Sequence, residues 1–132
     1  MSDTVKKYRS LIDVLYEKTT KKSIKWRYEA SDRSVWVKLA GQIIVLTGSS
    51  NSDFEPLCNL VITNSDGDFL EGFSDENLRG DQPKTALFSD WYSLMTALFE
   101  MAKRQATGAD EALDNILKEL GQDDDLDDDV EF

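Results

Sequence analysis

The sequence contains no histidine and a single cysteine, Cys58, among its 132 residues. Without histidine the chain lacks Ser-His-Asp and Cys-His nucleophilic systems, histidine metal ligands and the most common general base. One cysteine excludes an internal disulfide and a cysteine-based zinc site. We predict no catalytic residue, no metal and no cofactor, although Asp, Glu, Lys and Tyr also carry acid-base chemistry, so an enzyme is disfavoured rather than excluded.

Long apolar runs are missing as well. No stretch approaches the roughly 20 apolar residues that a membrane-spanning helix needs, and the opening residues, MSDTVKKYRS, are too polar for a secretory signal. Hydrophobic residues make up 40% of the chain, which is enough for one core in a chain of this length. We expect a cytoplasmic protein without membrane contact.

Acidic side chains outnumber basic ones by 26 to 15, which gives a net charge of -11. The charge is unevenly distributed, because residues 1–38 carry +5, residues 39–122 carry -9 and residues 123–132 carry -7. This uneven distribution of charge predicts that the two ends of the chain bind different partners, or that the acidic end folds back on the basic third.

Hydrophobic spacing predicts the secondary structure. Helical spacing covers residues 4–18, a long stretch from Ala86 with its apolar side starting at Trp91, and a shorter helix around 113–120. Alternation or β-branched runs cover 24–29, 35–39, 43–47, 57–63 and 69–73. The order predicts one α+β domain over residues 1–120, with an antiparallel sheet of about five strands, an N-terminal helix and two C-terminal helices, the helices covering one face of the sheet. Residues 121–132 are predicted to be an acidic, disordered tail.

The tail contains apolar residues that a purely solubilising acidic segment does not need, namely Leu126, Val130 and the last residue, Phe132. Residues 125–132 resemble the C-terminal tip of bacterial single-stranded-DNA-binding proteins, which is an acidic run followed by a branched aliphatic residue, a proline and a phenylalanine. A solubilising tail is the alternative interpretation.

The resemblance implies a docking mode for the tail. Phe132 would enter an apolar pocket closed by a basic side chain of a partner protein, and Val130 would pack beside it. Glu131 stands where that family has proline. Charge-assisted contacts with surrounding Lys or Arg would come from Asp127, Asp128 and Asp129.

The body of the chain is similar to small uncharacterised bacterial and phage α+β domains, mainly through residues 21–26 (KKSIKW), and that resemblance implies no function. The single-stranded-DNA-binding family itself uses an all-β barrel, which the helices predicted at both ends do not fit.

Basic and aromatic residues are interspersed in the N-terminal third of the chain, as they are on surfaces that bind single-stranded nucleic acid. The candidate nucleic-acid-binding residues are Lys22, Lys25, Trp26, Arg27 and Lys38. Alternation also supports a second interpretation, in which Trp26 shares the face of Ile24 and belongs to the core.

These observations predict a non-enzymatic binding protein of DNA metabolism, bacterial or phage. Its acidic tail would dock a partner protein through a basic, apolar-floored pocket, and its basic third would touch single-stranded nucleic acid. The alternative is an acidic inhibitor or immunity protein that blocks a basic partner by imitating the charge of DNA, since residues 39–132 together carry -16.

Overall fold

A computed structural model describes residues 3–85 and 87–121 of the chain. The elements in order are α1 (Asp3–Thr20), β1 (Arg27–Glu29), β2 (Ser34–Leu39), β3 (Gln42–Ser50), β4 (Pro56–Thr63), β5 (Phe69–Ser74), a 3-10 helix (Asp75–Leu78), α2 (Trp91–Thr107) and α3 (Ala109–Glu119). The predicted α+β arrangement is confirmed. None of the helices within the described ranges is long and apolar enough to cross a membrane.

The five strands form one antiparallel sheet in chain order, because short turns join each strand to the next. Ala40 and Gly41 link β2 to β3 with φ angles of 54° and 78°, and a two-residue hairpin turn of this kind requires positive φ at both positions. Asn64 closes the β4–β5 turn, where its side-chain Oδ1 accepts the backbone N–H groups of Asp66 and Asp68.

One face of the sheet packs against α1 and α2 and forms the core. Successive strand residues point to opposite faces, so every second residue contributes. The buried strand residues on this face are Val35, Val37, Ile44, Leu46, Cys58, Leu60 and Phe73. The helices add Ile12, Leu15, Leu94, Met95, Leu98 and Ala102.

The first strand is shorter than predicted, since only Arg27–Glu29 pairs with β2. The residues before it are still held on the core. Trp26 is buried and its indole Nε1–H donates to the Thr19 hydroxyl over 2.8 Å, and Ile24 is buried beside it. The hydrogen bond from Trp26 to Thr19 of α1 therefore holds residues 24–26 in place, where strand pairing does not.

The connection from β5 to α2 contains structure where the sequence predicts a polar loop over residues 74–85. The 3-10 helix buries Leu78 completely. Arg9 reaches it from α1, with Nε donating to the Leu78 carbonyl over 2.9 Å and Nη2 to the Arg79 carbonyl over 2.8 Å. The Asp75 carboxylate accepts the backbone N–H of Cys58 over 2.8 Å, which anchors the same connection to β4.

Candidate interaction surfaces

Helix α3 is an amphipathic helix whose apolar side faces solvent. Its four apolar side chains, here called the α3 stripe, are Leu113, Ile116, Leu117 and Leu120. The sequence predicts this helix, and the structure confirms it. However, Leu113, Ile116 and Leu120 are 50%, 56% and 65% exposed, and no residue of α3 is buried. The helix therefore adds little to the cover of the sheet.

A single glycine joins α3 to the rest of the fold. Gly108 has φ 74° and ψ 21°, the left-handed conformation, and it serves both as the C-cap of α2 and as the N-cap of α3. Arg104 near the end of α2 donates to the Asp110 carboxylate in the first turn of α3. The Gly108 turn and the Arg104–Asp110 ion pair thus set the direction of α3, and of the α3 stripe only Leu117 is half-buried.

The proposed tail contacts follow directly after α3. Its last residues are Glu119 and the C-cap Leu120. The predicted partner-binding residues Asp127, Asp128, Asp129, Val130 and Phe132 lie outside the described residues.

A cleft of about 980 Å³ separates the segment around β1 from the α2–α3 junction. Three of the predicted nucleic-acid-binding residues, Lys22, Lys25 and Arg27, line it and are exposed, and we call them the basic wall. The opposite side of the cleft carries Asp110, Glu111 and Asp114 of α3, here called the acidic wall. The structure brings the three cations together, but it sets three carboxylates across from them, of which Asp110 is paired with Arg104.

The tryptophan that borders the cleft with an accessible ring is Trp36 rather than Trp26. Trp26 is only 4% exposed and its indole N–H is already bonded, so its ring faces are closed to a stacking base. Trp36 is half-buried, and the Arg27 guanidinium lies 5.9 Å from its ring centroid. Lys38 is exposed two residues further along β2, on the sheet face that carries Trp36. The alternation of β2 already indicates this face, because Trp36 and Lys38 fall between buried valines.

The face of the sheet opposite the helices, which we call the open face, has an apolar surface. Its apolar side chains are Trp36, Ile43, Val45, Leu57, Val61 and Phe69, and none of them is buried. Phe69 is 66% exposed, and its ring lies over Gly72, where an added Cβ would come within 3.1 Å of that ring. Strand pairing places Arg27, Trp36, Val45, Val61 and Gly72 in one row across this face.

The described residues contain no cluster of three or more Cys, Asp or Glu side chains placed to hold a metal ion. Comparison with protein-family models, with curated proteins and with solved structures finds no match to this chain. The interaction surfaces are therefore interpreted from their own residues.

Cys58 is expected to be chemically unreactive. Burial, and to a smaller extent the charge of Asp75, raise the pKa of its thiol from 9.0 to about 12. The folded protein should therefore react slowly with an alkylating reagent under mildly alkaline conditions, where the unfolded chain reacts quickly. Because the unfolded thiol ionises first, the free energy of unfolding should fall as the pH rises from 9.0 towards 12. Urea unfolding of the intact protein and of Cys58→Ala at several pH values tests this, and an unchanged slope in the variant would contradict it.

Proposed function

We propose that this protein is a non-enzymatic, cytoplasmic binding protein of DNA metabolism that docks a partner protein through α3 and the acidic residues that follow it. The partner would offer an apolar groove with a basic rim. The observation that carries the proposal is the α3 stripe, in which Leu113, Ile116 and Leu120 are exposed and Leu117 is half-buried among the described residues.

The spacing of the α3 stripe fits a helix that binds in a groove. Leu113, Ile116, Leu117 and Leu120 stand at positions i, i+3, i+4 and i+7. Amphipathic helices that insert into apolar grooves use anchors at this spacing. With about 100° between successive residues, the four side chains lie on one side of the helix, and Asp110 and Asp114 flank that side.

Charge indicates the chemistry of the partner. Helix α3 carries Asp110, Glu111, Asp114 and Glu119 against Lys118, and residues 123–132 add seven acidic side chains without a base. A groove that accepts this region needs Lys or Arg at its rim, where complementary charges speed association and make it salt-sensitive. In this proposal Asp127, Asp128, Asp129, Val130 and Phe132 extend the contact that α3 begins.

Affinity capture from a bacterial extract tests the docking. Intact protein should retain a partner that is lost both when Phe132 is deleted and when Leu113 and Ile116 are replaced by Ser. Asn115→Ser is the matched control. Asn115 lies on the opposite side of α3, so this variant should still retain the partner. Mass spectrometry identifies what is lost, and raised salt should weaken retention.

Two results would contradict this proposal. If neutralising the acids abolishes capture while the Phe132 deletion and the double Ser variant do not, the acidic region acts only as a charged field. If the captured protein is unrelated to DNA or RNA, the proposed pathway is wrong even where docking is correct.

Contact with single-stranded nucleic acid is the second element of the proposal, and the basic wall supports it. Lys22, Lys25 and Arg27 stand together at the cleft, with Trp36 beside them. The acidic wall opposes such binding, because its carboxylates repel phosphate across the same cleft. We therefore expect weak binding of a labelled oligonucleotide by the intact protein.

Neutralisation of the acidic wall tests this contact. The double change Glu111→Gln and Asp114→Asn should tighten oligonucleotide binding by about fivefold at low salt, since two repulsive charges are removed while the Arg104–Asp110 ion pair is kept. Adding Lys22→Gln and Lys25→Gln should reverse the gain. If neither protein retains oligonucleotide but intact protein displaces DNA from a basic partner, the alternative is favoured, an inhibitor that imitates DNA.

A further inference from the structure

The open face has the character of an interface that the described residues leave empty. Its apolar side chains are half-buried or exposed, whereas those on the helix-packed face form the core. Proteins that act as monomers rarely expose a contiguous apolar patch of more than a few hundred Å². We propose that a second copy of this chain covers the open face, so that two sheets stack face to face in a twofold-symmetric dimer.

The size of the open face is compatible with such a dimer. With strands about 4.8 Å apart and about 3.3 Å per residue, four strands of six residues and the three residues of β1 give a face of roughly 430 Å². Two copies then bury about 860 Å², the size of a weak, transient interface, so we expect self-association that is visible only at high protein concentration. The α3 stripe has only four apolar side chains and lies on a helix with a net negative charge, so it is the poorer surface for self-association.

Charges are distributed asymmetrically across the open face. Its basic side chains, Arg27 and Lys38, lie on β1 and β2, where Glu29 is the one acidic side chain on this face, while Asp66 and Asp68 lie in the β4–β5 turn. Lys38 pairs with Ile43, which pairs with Thr63, the last residue before that turn. Lys38 and the acidic turn therefore lie at the same end of the sheet but on opposite sides of β3.

This asymmetry selects the symmetry axis. A twofold axis parallel to the strands and passing over β3 places β1 and β2 of one copy over β5 and β4 of the other. Lys38 then faces the acidic turn of the second copy, Arg27 approaches the Phe69 ring, and Val45 meets its own counterpart at the axis. An axis across the strands would instead set the two Arg27 side chains against each other, which opposes association.

The central contact is tested by Val45→Glu, measured by sedimentation velocity on the full chain over a wide concentration range. The intact protein should show a monomer–dimer equilibrium. Val45→Glu should raise the dissociation constant at least about 100-fold, because the two sheets would lie about 10 Å apart and the two carboxylates would meet between them without a counter-charge. Leu113→Glu is the matched control, since it adds the same charge to the exposed α3 stripe and should leave the dimer unchanged. Circular dichroism confirms that each variant is folded.

A charge exchange tests the axis. Lys38→Glu and Asp66→Lys should each raise the dissociation constant by about tenfold, and the double variant should restore it. Asp66 is chosen because the Asp68 carboxylate accepts a hydrogen bond from the Asn64 side chain within the turn. If the double variant does not regain the dissociation constant of the intact protein, this arrangement of the two sheets is overturned.

Other occupants of the open face give different results. A protein that stays monomeric at every concentration, with an oligonucleotide affinity that Val45→Glu lowers, would assign the face to nucleic acid. A monomer that becomes a dimer only after removal of residues 122–132 would assign it to that segment. Loss of the dimer in Leu113→Glu but not in Val45→Glu would place the contact on α3. Each outcome overturns the proposed dimer.

Discussion

Replacing Arg9 with methionine is expected to lower the free energy of unfolding by about 2–4 kcal/mol. Arg9 is only 7% exposed, and its guanidinium donates to the Leu78 and Arg79 carbonyls over 2.9 and 2.8 Å. Methionine keeps most of the apolar stem but removes both donors, so the two carbonyls lose charge-assisted hydrogen bonds. The ion pair with Asp81 contributes little, because that carboxylate is 69% exposed and 3.9 Å away.

Guanidinium chloride unfolding of Arg9→Met measures this loss, and Lys7→Met is its control. Lys7 is exposed on the same helix, so its replacement should change stability by less than about 0.5 kcal/mol. Hydrogen exchange adds a local readout, since the backbone amides of the 3-10 helix should exchange faster in Arg9→Met. Equal stability of the two variants would show that Arg9 does not hold the β5–α2 connection.

The importance of Arg9 is not visible in the sequence. Arg9 occupies one position in a helix rich in lysine, and its partners are carbonyls 69 and 70 residues away. The 3-10 helix that it supports has only four residues, too few to show a period. Long, regular segments were predictable for the opposite reason. The alternation over Val35–Leu39 and the helical spacing from Trp91 repeat often enough to identify a strand and a helix.

The candidate surfaces show the same limit in another form. A periodic pattern indicates which side of an element is apolar, but it does not indicate what covers that side. The residues of α2 and α3 have similar spacing, yet Leu98 is fully buried and Ile116 is 56% exposed. Trp26 and Trp36 both lie on predicted strands, Trp26 between two basic residues and Trp36 between two valines. Alternation indicates the face on which each ring lies, but only the three-dimensional arrangement brings Trp36 and Arg27 together at the cleft.

The contrast between α2 and α3 gives the second large expected effect. Leu98→Ala should lower the free energy of unfolding by about 2–5 kcal/mol, because Leu98 is fully buried and truncation leaves a cavity. Ile116→Ala removes a similar apolar volume from the α3 stripe and should change stability by less than about 0.5 kcal/mol. Urea unfolding at low protein concentration measures both variants on the isolated chain.

The result decides whether the α3 stripe is a free surface. If Ile116→Ala destabilises the protein as strongly as Leu98→Ala, α3 is packed in solution and is not available to a partner. If the loss appears only at high protein concentration, copies of the chain bury the stripe in each other, because self-association links stability to concentration. A small effect at every concentration leaves α3 exposed in the isolated protein. An apolar helix side that contributes nothing to folding but is needed for capture of a partner is then a binding surface.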